Sequence, residues 1–131
     1  SYLMSVETVL DTRQLEERCL GHLAIAASLV EAFFQGVDKD LPELDRALAR
    51  GDVLRIASMA HRIGRCATKV GAKQTANAAE QIEQSCRKGK LEQLPYQIER
   101  FRQAHEEAFS AWISRHSQHE TPAPQTTFTS N

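Results

Sequence analysis

Residues 52–71 read DVLRIASMAHRIGRCATKVG. Ile56, Ala60, Ile63, Ala67 and Val70 recur at steps of three and four, the spacing that lines up one face of an α-helix. Asp52 can cap such a helix at its start and Gly71 can end it, so the stretch is a self-contained amphipathic helix. Its other face projects Ser58, His61, Arg62, Arg65 and Lys69 outward. A single histidine therefore sits among cations on a solvated helix face, and the rest of the chain has to supply the partners that bury the apolar face.

Working outward in both directions, the same period recurs. Gly21 to Arg50 carries Leu23, Ala26, Leu29, Val30, Phe33, Phe34, Val37, Leu41, Leu44 and Leu48 as an apolar stripe. Pro42 interrupts it, and with Gly36 nearby the expectation is a kink or a break and restart around Val37 to Leu41. Ahead of it a short helix runs from about Asp11, as N-cap, to about Leu20 and packs as a lid. After Gly71 a helix with Ala72, Thr75, Ala79, Ile82 and Cys86 on one side stops at Arg87-Lys88-Gly89, cations followed by the glycine a helix C-terminus prefers. A last helix, from about Leu91 to about His116, uses Leu94, Ile98, Phe101, His105, Phe109 and Trp112, with Pro95 fitting only in its first turn. The fold expected is all-α, an antiparallel four-helix bundle with a short N-terminal lid helix over residues 10–116. Residues 1–9 are a lead-in, and the Pro-, Thr- and Ser-rich residues 117–131 form a disordered tail.

Composition agrees with one packed domain. The chain has 131 residues, 41% hydrophobic and 25% charged, enough to bury a core without metals or disulfides. Aromatic residues make up only 6%, and no β-branched alternating run competes with helix. Cys19, Cys66 and Cys86 are odd in number, widely spaced and without a CxxC pair, which argues against a disulfide or zinc scaffold and for a reducing, cytoplasmic setting. Cys66 reads as a small packing residue. Sixteen Lys+Arg stand against 17 Asp+Glu, a net charge of -1 that removes the usual basis for nucleic-acid binding. No apolar run is long enough to span a membrane, and the first residues lack the pattern of a signal peptide. The start at Ser1 rather than Met points to a segment of a longer protein.

An exposed imidazole keeps a nitrogen lone pair available near neutral pH, and neighbouring cations can hold a bound phosphoryl group. The segment Ala60-His61-Arg62-Ile63-Gly64-Arg65-Cys66-Ala67-Thr68-Lys69-Val70-Gly71-Ala72 resembles the signature of histidine-containing phosphotransfer (HPt) domains, Ala-His-x-Leu-Lys-Gly-Ser-[Ala/Ser]-x-x-x-Gly-Ala. The flanks are similar too: Leu10-Asp11, Phe33 or Phe34, Asp40-Leu41-Pro42-Glu43-Leu44, Leu48, Gly51-Asp52, Ile82-Glu83 and Gly89. The resemblance covers residues 10 to 113.

It implies that His61 accepts a phosphoryl group from the aspartate of one receiver domain and passes it to that of a response regulator. Glu83 falls where the family places the side chain that orients the imidazole. Arg62, Arg65 and Lys69 are the supporting cations. The domain would bind no cofactor, since the receiver brings the acidic pocket and Mg²⁺, and it would act as a carrier rather than an autonomous kinase. By the same resemblance it is monomeric; the absent Met and the tail to Asn131 favour the C-terminal module of a hybrid sensor kinase, on the cytoplasmic side of an inner-membrane host, over a freestanding domain, and no direct membrane insertion is expected. Exposed apolar residues of the lid and of the next helix complete the docking face.

The chain departs from the signature at two positions, with Gly64 then Arg65 in place of Lys then Gly. At about 100° per residue, the three-residue offset lies about 60° to one side of His61 and the four-residue offset about 40° to the other. The expectation is that Arg65 replaces the missing Lys electrostatically from the opposite flank while narrowing the choice of receiver. The alternatives are a degenerate bundle that docks a receiver without transfer, or a bundle that binds a partner helix; neither would carry acid-labile phosphate on His61. A metal site from His105, His116 and His119 lacks a carboxylate or thiolate set at fixed spacing. A catalytic cysteine has no base beside it in sequence.

Overall fold

Pro42 does not break its helix. The computed structural model, which describes residues 9–119, carries a single 27-residue helix, α2 (Leu23–Ala49), straight through it. Proline in a helix interior costs roughly 3 kcal/mol, here through the backbone bond that Asp38 C=O cannot receive. Val37, Leu41 and Leu44 on the opposite face are all buried, and each is worth roughly 1.5–3 kcal/mol of apolar burial, so packing on both sides of the proline outweighs it.

The other elements are α1 (Arg13–Arg18), α3 (Val53–Val70), α4 (Lys73–Lys88), a 3₁₀ turn (Leu91–Gln93) and α5 (Leu94–His119). No strand occurs among the described residues. Helices α2 to α5 close a ring in which α3 packs on α2 and α4, and α5 on α4 and α2, with α1 across the α2/α3 end. The all-α bundle with a lid is therefore the observed architecture. Its core holds Val30, Phe34 and Leu44 from α2, Ile56, Ala60, Ile63 and Ala67 from α3, Ala79 and Ile82 from α4, and Ile98, Phe101 and Trp112 from α5. Met59, outside the expected stripe of α3, is buried with them.

The lid differs in detail from the sequence expectation. Thr12, not Asp11, holds the N-cap position of α1. The Thr12 hydroxyl donates to Glu16 (2.9 Å) and accepts from Arg115 of α5 (2.9 Å), while the Asp11 carboxylate takes the backbone N–H of Arg13. Arg115 also donates to Leu10 C=O, so the end of α5 ties down the chain entering the lid. Val9 and Leu10 are both buried, which brings Val9, expected in the lead-in, into the core. Asp11 N–H donates to Gly71 C=O at 2.9 Å. Gly71 has φ of 89°, and a Cβ there would lie 1.7 Å from Asp11 O, so both backbone conformation and close approach require glycine.

Four further expectations are corrected. Leu23 and Leu29 are 62% and 46% exposed because the six-residue α1 is too short to cover the start of α2. Phe109 is also largely exposed, its ring edge against Phe34. Cys66 is exposed rather than packed, whereas Cys19 and Cys86 rest against the core. Helix α5 runs to His119, three residues past its expected end; residues 1–8 of the lead-in and 120–131 of the tail lie outside the described residues. Pro95 does sit in the first turn of α5, and Asp52 does cap α3 by accepting from Arg55 N–H at 3.1 Å.

Candidate functional site

His61 lies at the middle of α3, flanked by the buried Ala60 and Ile63 that fix the rotation of the helix. Its side chain is 54% exposed. Nδ1 lies 3.0 Å from Glu83 Oε2 and 3.3 Å from Oε1, across the α3/α4 groove. A carboxylate only accepts, so this contact places the ring proton on Nδ1 and leaves the Nε2 lone pair facing solvent. Glu83 is only 13% exposed, held on α4 one position after the buried Ile82.

Arg87, one turn along α4, donates to the same Glu83 oxygen. The sequence marks it only as a cation at the helix end, although its spacing from Glu83, i to i+4, is the ordinary helical signal for an ion pair. Glu83 thus bridges a guanidinium and an imidazole, which leaves its carboxylate little freedom to turn away from His61. Burial, with a smaller contribution from the Glu83 charge, pushes the Cys86 thiol up.

The three supporting cations do not act alike. Arg62 turns to α2 and forms a two-pronged bond with Asp40, at 3.1 Å on both arms. That bond holds its guanidinium charge more firmly, against the opposing effect of partial burial. Arg65 is exposed, and its side chain makes no hydrogen bond or ion pair among the described residues. Lys69 stands two turns beyond His61, roughly 12 Å along the axis, and its backbone C=O accepts from Arg18 of the lid. Gly64 faces α4: a Cβ on it would meet Ala79 Cβ at 3.5 Å and Ala76 C=O at 3.9 Å, ordinary contact distances. The α4 flank of His61 therefore carries Gly64 and the Glu83–Arg87 pair, and the α2 flank carries Arg65 and the Arg62–Asp40 pair.

Several apolar side chains of the bundle stand in solvent. Leu54 is two turns before His61 on nearly the same line of α3, and Leu20, Leu23 and Leu29 cluster by sequence at the α1/α2 junction. Leu20 has φ of 55°, a left-handed conformation unusual for leucine, and is 84% exposed.

The other sites considered do not assemble. His105 is buried against Phe33 and Phe34 and shares Nε2 with Asp38 at 2.9 Å, while His116 stacks on Trp112. Among the described residues no group of three His, Cys, Asp or Glu side chains is placed to hold a metal ion, and no helix is long and apolar enough to cross a membrane.

Comparison with known proteins places this geometry. No curated protein and no solved structure matches the chain. The family model for the Hpt domain matches residues 28–111, from the first turns of α2 to the last turns of α5, with His61 and Glu83 inside the match. The chain belongs to the Hpt domain family, the helical bundles that carry phosphoryl groups on histidine and meet receiver domains in phosphorelays.

Proposed function

We propose that His61 is the phosphoryl acceptor, taking the group from a receiver aspartyl phosphate and delivering it to the aspartate of a response regulator. The observation that carries this reading is the exposed imidazole with Nδ1 on Glu83 and Nε2 open to solvent. The Nε2 lone pair attacks phosphorus, the bond from phosphorus to the aspartyl oxygen breaks, and the aspartate leaves as a carboxylate. The positive charge that develops on the ring is met at Nδ1–H by Glu83. Delivery to the second aspartate is the same displacement reversed.

Phosphoryl transfer of this kind depends on in-line positioning and charge neutralisation. The bundle supplies the first through the packed α3/α4 pair. Arg65 supplies part of the second, and Mg²⁺ held in the receiver's acidic pocket would supply the remainder. Arg62, engaged by Asp40, and the more distant Lys69 contribute to the field that steers a receiver rather than to bonds with the phosphoryl group. Leu54, two turns before His61 on nearly the same line of α3, gives the receiver an apolar contact on the histidine's face, and the exposed Leu20, Leu23 and Leu29 add apolar surface at the lid end of the bundle. In this reading the domain acts as a monomeric carrier in the cytoplasm, between the receiver of a hybrid sensor kinase and that of a response regulator.

The test is transfer from a phosphorylated receiver to the chain and to its His61→Gln variant, followed by acid and alkali treatment. Acid-labile, alkali-stable label on the wild type alone is the expected result. Receiver binding without label on the wild type would leave a docking module and refute the transfer reading.

A further inference from the structure

The two flanks of His61 are electrically unequal. On α3, Arg62 is rotated about 100° from His61 and meets Asp40 on α2, so that sense of rotation leads to α2. Arg65, rotated about 40° in the same sense, lies between the histidine and that ion pair. Gly64, rotated about 60° the other way, abuts Ala79 and Ala76 of α4. The guanidinium on the α4 side, Arg87, is committed to Glu83. Arg65 is consequently the cation nearest His61 in the helix whose charge is met by no carboxylate among the described residues, and it stands on one flank only.

Resting on the assignment of His61 as acceptor, we infer that Arg65 selects among receivers, favouring those that present a carboxylate to the α2 flank of the histidine. A receiver docked over His61 must cover Arg65, which is too close to the reacting nitrogen to remain outside the contact. An acidic side chain opposite it completes an ion pair that the free domain lacks. A lysine or arginine opposite it is placed against an unneutralised guanidinium as water is excluded. The bare Gly64 flank makes neither demand. Rim charges of this kind act mainly on encounter and on the choice of partner, and the expected discrimination is about tenfold at low salt.

The experiment uses one receiver with an Asp or Glu in the part of its docking surface that covers Arg65, and the same receiver with that acid changed to Lys. Each is measured for transfer rate, and unphosphorylated for affinity, against wild type, Arg65→Gln, Arg65→Glu and the exchange Gly64→Lys/Arg65→Gly. Residue 65 is exposed and a side chain at 64 meets only ordinary contacts, so the variants should fold, which circular dichroism checks. Wild type is expected to prefer the acidic receiver about tenfold at low salt and much less in 0.5 M salt, roughly where the screening length falls below 5 Å. Arg65→Gln and the exchange should lose the preference, and Arg65→Glu should invert it. The same ranking of the two receivers by all four proteins would overturn the inference. So would a uniform drop for both receivers in Arg65→Gln, which would make Arg65 a phosphoryl ligand alone. If no wild-type label forms with either receiver, the acceptor assignment fails, while the affinity ranking still decides selection on its own.

Discussion

Truncating Glu83 to Ala removes the acceptor for His61 Nδ1–H without touching the reacting nitrogen. A hydrogen bond to a charged group is worth roughly 1.5–3 kcal/mol when well shielded. Here the carboxylate is nearly buried, but the imidazole is half exposed and one oxygen is shared with Arg87, which brings the figure down to about 1 kcal/mol. If that contact strengthens as charge develops on the ring, its loss slows transfer by about fivefold, since roughly 1.4 kcal/mol corresponds to tenfold. Glu83→Gln keeps an acceptor and the ring orientation but gives up the charge, so its loss is about twofold. Single-turnover transfer from a phosphorylated receiver, followed across receiver concentration, separates docking from chemistry, and the effect should fall on the saturating rate. Nitrogen NMR of the imidazole gives an independent reading: wild type and Glu83→Gln should show the Nδ1–H tautomer, and Glu83→Ala a mixture. A Glu83→Ala protein with wild-type rate and tautomer would refute the role assigned to the contact. Equal losses in the two variants would refute the part assigned to orientation.

Gly71→Ala should be the most damaging small substitution at the lid, because it combines a left-handed penalty of roughly 1–2 kcal/mol with a Cβ driven into Asp11. A loss of about 3 kcal/mol, near 10 °C in Tm, is expected by calorimetry, with hydrogen-exchange protection lost first in α1. Pro42→Ala restores an N–H for Asp38 C=O at an exposed position and should stabilise the domain by about 1–2 kcal/mol in urea unfolding, after allowing for the greater freedom of the unfolded chain; no gain would mean the helix is already relaxed around the proline. The Asp11 and Glu43 carboxyls are both held down to about 2, against ordinary values of 3.8 and 4.5, by Arg13 in the first case and by Arg50, Arg55 and Arg46 in the second. The unfolded chain therefore binds these protons first, so their contribution is complete above about pH 5 and is lost as pH falls through 4 toward 2. Tm measured from pH 6 to pH 2 should drop in that window, and less steeply in Glu43→Gln; parallel curves would remove Glu43 from the account.

The helices and the His61–Glu83 contact were readable along the chain because each depends on spacing within one helix or on a motif. Ile56 to Val70 mark a buried face whatever that face packs against, and His61 with Glu83 could be paired by resemblance before any contact was known. What escaped depended on neighbours. The exposure of Leu23 and Leu29 is decided by where α1 stops, and the continuity of α2 through Pro42 by how much apolar surface lies on either side of it. The division of labour among the cations has the same origin. Arg62, Arg65 and Lys69 look equivalent on a helical wheel, all outward and all within two or three turns of the histidine. They separate when α2 brings Asp40 opposite Arg62, while Lys69 stands two turns further along α3, leaving Arg65 as the charge beside His61 that no described carboxylate answers. Which cation a receiver meets is therefore set by the docking of α2 on α3 rather than by the order of residues around His61. Moving Asp40 by substitution should redistribute that role: Asp40→Asn frees Arg62 and places a second unneutralised guanidinium on the same flank. The preference for an acidic receiver should then become stronger and more salt-sensitive, a result opposite in sign to Arg65→Gln.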